Sequence, residues 1–171
     1  MLSAKVAPIP AMVVSDVNGL QAPLLFNCYQ AVCYWIYHEM NGAPPMGWAF
    51  ADSKLQNTGE LMRALARNGR LATQSNINTL PNGTVLIFTD PDGTERHACI
   101  IDATGQLGGY NQQSWFDLPP AGQPNQFTQH PINKIKWRNG KNNKVFLSSG
   151  AKGKLHYIDE ATALNFARFS F

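Results

Sequence analysis

Charged side chains are scarce in this sequence. Asp, Glu, Lys and Arg make up 15% of the 171 residues, hydrophobic residues make up 44%, and the formal net charge is +3. A chain of this composition can bury a sizeable core, which excludes intrinsic disorder. We expect a single domain that spans residues 1–171.

Cysteine is also rare. The chain has three cysteines, and an odd number makes a disulfide framework a poor interpretation. Together with His97 they would provide four metal ligands, but their spacing matches no common zinc pattern. We therefore expect no metal and no cofactor.

Long apolar runs are missing as well. No stretch approaches the roughly 20 residues that a membrane span requires. The segment Met1 to Val14 holds one Lys and two prolines and no sustained apolar core, which is not typical of a signal peptide. We expect an effector that is secreted or translocated by another route, and otherwise a cytoplasmic protein.

Basic residues are scattered, apart from a loose basic stretch from Lys134 to Lys154. A solvated hairpin is the interpretation that we prefer for it, and contact with an anionic surface is the alternative. A nucleic-acid binder that uses this stretch and Trp137 is the weakest hypothesis, because the charge excess is small and no recognition motif is present. The sequence predicts no nucleic-acid partner.

Two helices are predicted in the first half of the chain. The first runs from Asn27 to Asn41, with Asn27 as N-cap and Gly42 as the stop. The second covers Thr58 to Asn68, capped by Thr58 and closed by Gly69.

The pattern then changes to strands. Turn signals at Asp90–Gly93 and at Thr104-Gly105 separate three predicted strands, and Asn139-Gly140 marks a later hairpin. A short helix is expected near the C-terminus. The predicted ranges are strands at 84–89, 95–103 and 106–111 and a helix at 159–169. This order predicts an α+β fold with helices packed on an antiparallel sheet.

Cys28 is the candidate nucleophile. It falls in the first turn of the predicted helix, where the helix dipole and free backbone N–H groups favour a thiolate. The same N–H groups can hold the oxyanion of a tetrahedral intermediate. The alternative is that Cys28 is a small buried hydrophobe, as most free cysteines are.

His97 is the candidate base. It lies in a strand that is otherwise mostly apolar, where an imidazole requires a partner. Alternation places His97 and Cys99 on one face of that strand. His38, His130 and His156 are weaker candidates.

A third residue usually orients the imidazole of such a pair. The turn at Thr104-Gly105 brings the following strand back toward His97. Asn111 is our first choice and Gln112 the second, with Asp117 as a further alternative. The backbone N–H of Cys28 and the side chain of Gln21 are the expected oxyanion donors.

These pieces together resemble the papain-like cysteine hydrolases. The likeness rests on a Cys that opens a helix, on Gly83-Thr84 before a strand, and on the stretch HACIIDATGQLGGYNQQSWF from His97. NlpC/P60 and CHAP hydrolases are the most similar branches, although Asn-Cys-Tyr-Gln replaces the Asp-Cys-Ser-Gly common in NlpC/P60 proteins. The resemblance implies that Cys28 is the nucleophile, His97 the base and Asn111 the orienting residue.

The function that the resemblance implies is hydrolysis of an amide bond, as a peptidase or amidase, by a bacterial effector toxin. A peptide, a protein or peptidoglycan would be the substrate, and an immunity protein would be the partner. A glutamine deamidase toxin on the same fold and a catalytically inactive papain-like binding module remain the alternatives.

Overall fold

The chain has an α+β architecture, and in the part of it that the structure describes three helices accompany an antiparallel sheet. The computed structural model describes residues 14–17, 20–23, 27–41, 58–110, 112, 115–116, 127–138 and 141–167. None of the helices in these ranges is both long and apolar enough to cross a bilayer.

Ten strands occur in the described ranges. They are β1 (Val14–Val17), β2 (Leu20–Pro23), β3 (Arg70–Leu71), β4 (Val85–Thr89), β5 (Glu95–Ile101), β6 (Leu107–Tyr110), β7 (Phe127–His130), β8 (Trp137–Arg138), β9 (Lys141–Phe146) and β10 (Lys152–Ile158). Among the described residues, strands β1 and β2 pair with each other in a separate two-stranded sheet. The other eight form an antiparallel sheet in the order β7-β6-β5-β4-β10-β9-β8, and β3 pairs with β10.

The three helices are α1 (Cys28–Asn41), α2 (Thr58–Asn68) and α3 (Glu160–Ala167). In α2 the apolar positions Leu61, Met62 and Leu65 recur at helical spacing, and all three are buried. Asp159 caps α3, because its Oδ1 accepts a hydrogen bond of 2.6 Å from the N–H of Thr162.

Two apolar clusters lie on the two sides of the sheet. The first, here called the helical cluster, joins α1, α2 and α3 to buried side chains on the helix-facing side of the central strands, among them Ala98 and Ile100. The second, here called the inner cluster, contains buried side chains on the opposite side of the same strands, such as Cys99 and Ile101. Side chains of a strand alternate between its faces, so β5 contributes to both clusters.

The predicted elements are largely confirmed. All three predicted helices occur, the last at Glu160–Ala167, and the meander through β4, β5 and β6 follows the expected turns, with Gly105 at φ +78° in the second turn. Asn139 and Gly140 lie outside the described residues, but Arg138 pairs with Lys141 across them.

Strand β10 was missed from the sequence, although it pairs with both β4 and β9 and so lies inside the sheet. Its residues read KGKLHYI. Lysines on the face of β10 opposite the inner cluster weaken the alternation of apolar residues that signals a buried strand.

Candidate active site

The start of α1 is fixed by a reciprocal cap. The N–H of Gln30 donates to Oδ1 of Asn27 at 2.7 Å, and the N–H of Asn27 donates to Oε1 of Gln30 at 2.9 Å. This pattern is a capping box, with Asn27 as the N-cap that the sequence predicts. Cys28 is therefore the first residue of the helix.

The edge of β5 that faces β6 supplies a further donor. The N–H of Ile101 donates to the carbonyl of Thr84 before β4, so odd-numbered residues of β5 bond toward β4 and even-numbered residues toward β6. In the described residues β6 pairs with β5 only at Ile100 and Ile101. The N–H of Ala98 lies on that edge, beyond the pairing with β6, and its hydrogen bond to Cys28 lowers the pKa of the thiol.

The Cys28 thiol thus lies among three backbone N–H groups. The donors belong to Ala98, Tyr29 and Cys28 itself, and each lowers the thiol pKa. Burial has the larger effect and raises the pKa of Cys28 to about 11. The resting group is a protonated thiol in a pocket of donors that suits a negative charge.

His97 lies in an aromatic environment. Its ring stacks on Trp115, with centroids 5.0 Å apart and planes 15° apart. The ring centroids of Phe88 and Phe116 lie 5.7 Å and 6.4 Å from that of His97. The side chain is 1% exposed. Desolvation lowers the pKa of His97 to about 3, so the imidazole is neutral at pH 7.

Gln112 faces His97. Its Nε2 donates to the carbonyls of Leu107 at 3.0 Å and Thr128 at 2.9 Å, which fixes the carboxamide and leaves Oε1 free of other described donors. The Gln112 side chain partly offsets the lowered pKa of His97, as expected if Oε1 accepts from the ring. Neither ring nitrogen has a well-formed hydrogen bond to a described residue.

Gly109 makes room for this carboxamide. A Cβ at Gly109 would lie 2.9 Å from Oε1 of Gln112 and 3.1 Å from Cβ of Cys99. A side chain at this position would push Gln112 away from His97.

The structure does not join Cys28 to His97. Helix α1 packs on the face of β5 that carries Ala98 and Ile100, whereas the His97 ring contacts residues of the inner cluster on the other face. Alternation along the strand causes this separation. No hydrogen bond links the thiol to either ring nitrogen in the described state.

The remaining predicted residues are placed as follows. Asn111 and Asp117 lie outside the described residues. Gln21 lies in β2, opposite Asp16, and its side chain is not among those that the structure describes. Gln112, the second choice for the orienting residue, is the described residue that faces the imidazole.

A polar rim beside Cys28 was not predicted. Arg63 of α2 holds Glu95 at the start of β5 through Nε–Oε2 at 2.7 Å and a second bond of 3.2 Å. Burial raises the pKa of Tyr29, the charges of Cys28 and Glu95 raise it further, and those of Arg96 and Arg63 lower it. The sequence signal for this rim is the charged pair Glu95-Arg96 at the head of an apolar strand.

The other described imidazoles have partners of their own. Nε2 of His156 lies 2.8 Å from Oγ1 of Thr89, and Nε2 of His130 lies 2.9 Å from Oγ1 of Thr128. Within the described ranges no group of three or more His, Cys, Asp and Glu side chains is arranged to hold a metal ion. The three thiols are free.

Comparison of the chain with protein-family models, with curated proteins and with solved structures finds no match. The fold and the surroundings of Cys28 and His97 are therefore the basis for a function.

Proposed function

We propose that this protein is a papain-like cysteine hydrolase that cleaves an amide bond, with Cys28 as its nucleophile. The observation that carries the proposal is the position of Cys28 as the first residue of a capped helix, where the backbone N–H groups of Cys28, Tyr29 and Ala98 act on its thiol. Such donors stabilise a thiolate when it forms and an oxyanion when a carbonyl is attacked. The buried cysteines Cys33 and Cys99 lie within β-sheet and helix packing instead.

In the proposed reaction the sulfur of Cys28 attacks the carbonyl carbon and the thiol proton passes to the imidazole of His97. The C–N bond then breaks, His97 gives its proton to the leaving amine, and a thioester remains. Water attacks the thioester, His97 takes a proton from that water, and the acid is released as the thiol regains its proton. Asn111 or Gln112 orients the imidazole.

The pKa values indicate how this pair would operate. The thiol pKa is about 11 and the imidazole pKa about 3, so the resting pair is neutral rather than an ion pair. Proton transfer must therefore accompany the attack, and it requires a rearrangement of β5 that brings the His97 imidazole from its stack on Trp115 to the sulfur. A substrate that opens this region would also raise the imidazole pKa by rehydrating it.

The same chemistry on a glutamine side chain releases ammonia, so a glutamine deamidase uses the same residues. Peptide, protein and peptidoglycan amides are the substrate classes that we propose. A bacterial effector toxin with an immunity protein as its partner is the biological role that we propose.

A second candidate is a papain-like binding module without catalysis. The observation that favours it is the position of His97, which is 1% exposed and stacked on Trp115 on the face of β5 away from α1. An imidazole that stays there with a pKa near 3 is a poor base at pH 7.

Growth assays in bacteria test the two candidates. Wild type, Cys28→Ala and the control Cys99→Ala are expressed separately in the cytoplasm and the periplasm. The hydrolase predicts that wild type and Cys99→Ala arrest growth in one compartment and that Cys28→Ala does not. Equal growth arrest by all three would support the binding module.

A further inference from the structure

The basic residues of this chain are concentrated in one segment. Residues 118–158 contain 7 of the 14 Lys and Arg residues and no Asp or Glu. The net charge of +3 for the whole chain conceals this separation, because the remainder of the chain is acidic overall. Local charge, rather than net charge, governs attraction of a polyanion.

The structure brings part of this charge to one groove. The groove has a volume of about 410 Å³ and lies where β8, β9 and β10 meet the turn after β4. Three cations line it, Arg138, Lys144 and Lys152, together with Pro91, Asn143 and Gly153. No carboxylate of the described residues forms an ion pair with any of these three cations.

Strand alternation explains why the cations point outward. Val145 of β9 and Leu155 of β10 are buried in the inner cluster. Lys144, next to Val145, and Lys152, three residues before Leu155, therefore point to the opposite face. The helices cover this face near Ile87 and Ile158.

An exposed aromatic ring adjoins the groove. Phe146 is 37% exposed, and it lies opposite Lys152 in the β9–β10 pairing. The guanidinium of Arg138 lies over the Phe146 ring, 5.9 Å from the centroid. This contact holds a planar cation beside a ring on which a base can stack.

We propose that this groove binds single-stranded nucleic acid without sequence preference. Arg138, Lys144 and Lys152 would contact phosphates, and Phe146 would stack on a base. The concave shape of the groove disfavours a flat lipid surface, and the exposed Phe146 ring, on which a base can stack, favours a nucleic acid over an acidic peptide. The proposal replaces the expectation of no nucleic-acid partner, which rested on the small charge excess and on the absence of a recognition motif, and it is independent of Cys28.

Fluorescence anisotropy with a labelled 12-nucleotide oligothymidine tests the proposal on the full chain. Three phosphate contacts predict a slope of about −2 for log K against log salt, so that affinity falls roughly 20-fold between 50 and 200 mM salt. The double variant Lys144→Glu, Lys152→Glu should lose at least about tenfold in affinity at 50 mM salt. Phe146→Ser should weaken binding while leaving the salt slope unchanged.

The charge-matched control is Arg67→Glu together with Arg70→Glu, on exposed positions of α2 and β3 away from the groove. Retained affinity in this control assigns the loss to the groove, whereas an equal loss would mean that net charge alone drives binding and would overturn the proposal. Absence of binding by wild type at 50 mM salt would also overturn it. So would preferential binding to polyglutamate or to phosphatidylglycerol vesicles at equal anion concentration.

Discussion

The backbone N–H of Ala98 donates to the sulfur of Cys28, while the side chain of His97, the preceding residue, points into the aromatic cluster on the other face of β5. One strand thus supplies both a donor for the nucleophile and its proposed base. In the structure the N–H of Ala98 acts on the sulfur of Cys28, whereas the imidazole of His97 does not reach it. Several predictions depend on this relationship.

The capping box should control both the stability of α1 and the position of Cys28. Asn27→Ala removes the side-chain oxygen that accepts from Gln30 and should lower the free energy of unfolding by about 1 kcal/mol. It should also speed alkylation of Cys28, because a frayed first turn exposes the thiol and relieves the burial that raises its pKa. Urea unfolding and thiol labelling measure the two effects. Asn27→Ser, which retains a capping oxygen, is the control, and a loss as large as that in Asn27→Ala would contradict the assignment.

Acid should destabilise the protein through His97. Its pKa is about 3 when folded and near 6.5 when unfolded, so the unfolded chain binds the additional proton as pH falls. The contribution of a neutral His97 is complete above pH 6.5 and is lost progressively between pH 6.5 and 3. Between pH 7.5 and 4.5 we expect a loss of about 3 kcal/mol from this group.

His97→Phe provides the matched control for that loss, because it retains an aromatic ring beside Trp115 and removes the titrating nitrogen atoms. Urea unfolding at both pH values compares it with wild type. His130 and His156, whose pKa values are also lowered by burial, respond equally in both proteins and cancel. The same pH dependence in His97→Phe and wild type would show that His97 is not the buried neutral group.

Asp102 should be the most sensitive carboxylate for stability. Its oxygens accept from the backbone N–H groups of Thr104 and Gln106, from Oγ1 of Thr104 and from Nε2 of Gln129, and the residue is fully buried. Asp102→Ala leaves these donors unsatisfied and should cost roughly 3 kcal/mol or more.

Asp92 is the control for Asp102, because it accepts from the N–H of Thr94 in an exposed turn. Asp92→Ala should change the free energy of unfolding by less than about 1 kcal/mol. Thermal or urea unfolding of both variants measures the difference. Similar losses in the two variants would refute the idea that burial, rather than turn chemistry, makes Asp102 important.

Gln112 should act as a positioning residue for His97. Gln112→Leu removes the carboxamide beside the ring and should lower the pKa of His97 further, which NMR titration of the ring protons measures against wild type. The activity–pH profile of the hydrolase should shift in the same direction. An unchanged His97 pKa would mean that Gln112 serves only to bond Leu107 and Thr128.

The helices and turns were predictable because their signals are local. Asn27 with Gly42 and Thr58 with Gly69 mark helix ends in the sequence, and Gly105 marks a tight turn. Strand β10 was not predictable in the same way, because its outer face carries lysines and its pairing with β4 joins residues far apart in sequence.

In the candidate site, too, local features were predictable from the sequence and long-range packing was not. The position of Cys28 at a helix start follows from its capping residues, and the approach of Gln112 follows from a short turn. The face of β5 on which α1 packs does not follow from alternation alone, since both faces of that strand are apolar. The sequence could therefore name Cys28 and His97 without placing them relative to each other.

The rate of alkylation of the three thiols by iodoacetamide, followed by mass spectrometry on the folded protein from pH 7 to 10, tests the central claim most directly. We predict that Cys28 reacts well before Cys33 and Cys99, because burial raises the pKa values of those two thiols further and excludes the reagent. The Cys28 rate should rise about tenfold per pH unit, as expected for a thiol with a pKa of about 11. Equal and slow labelling of all three thiols would contradict the assignment of Cys28 as the nucleophile.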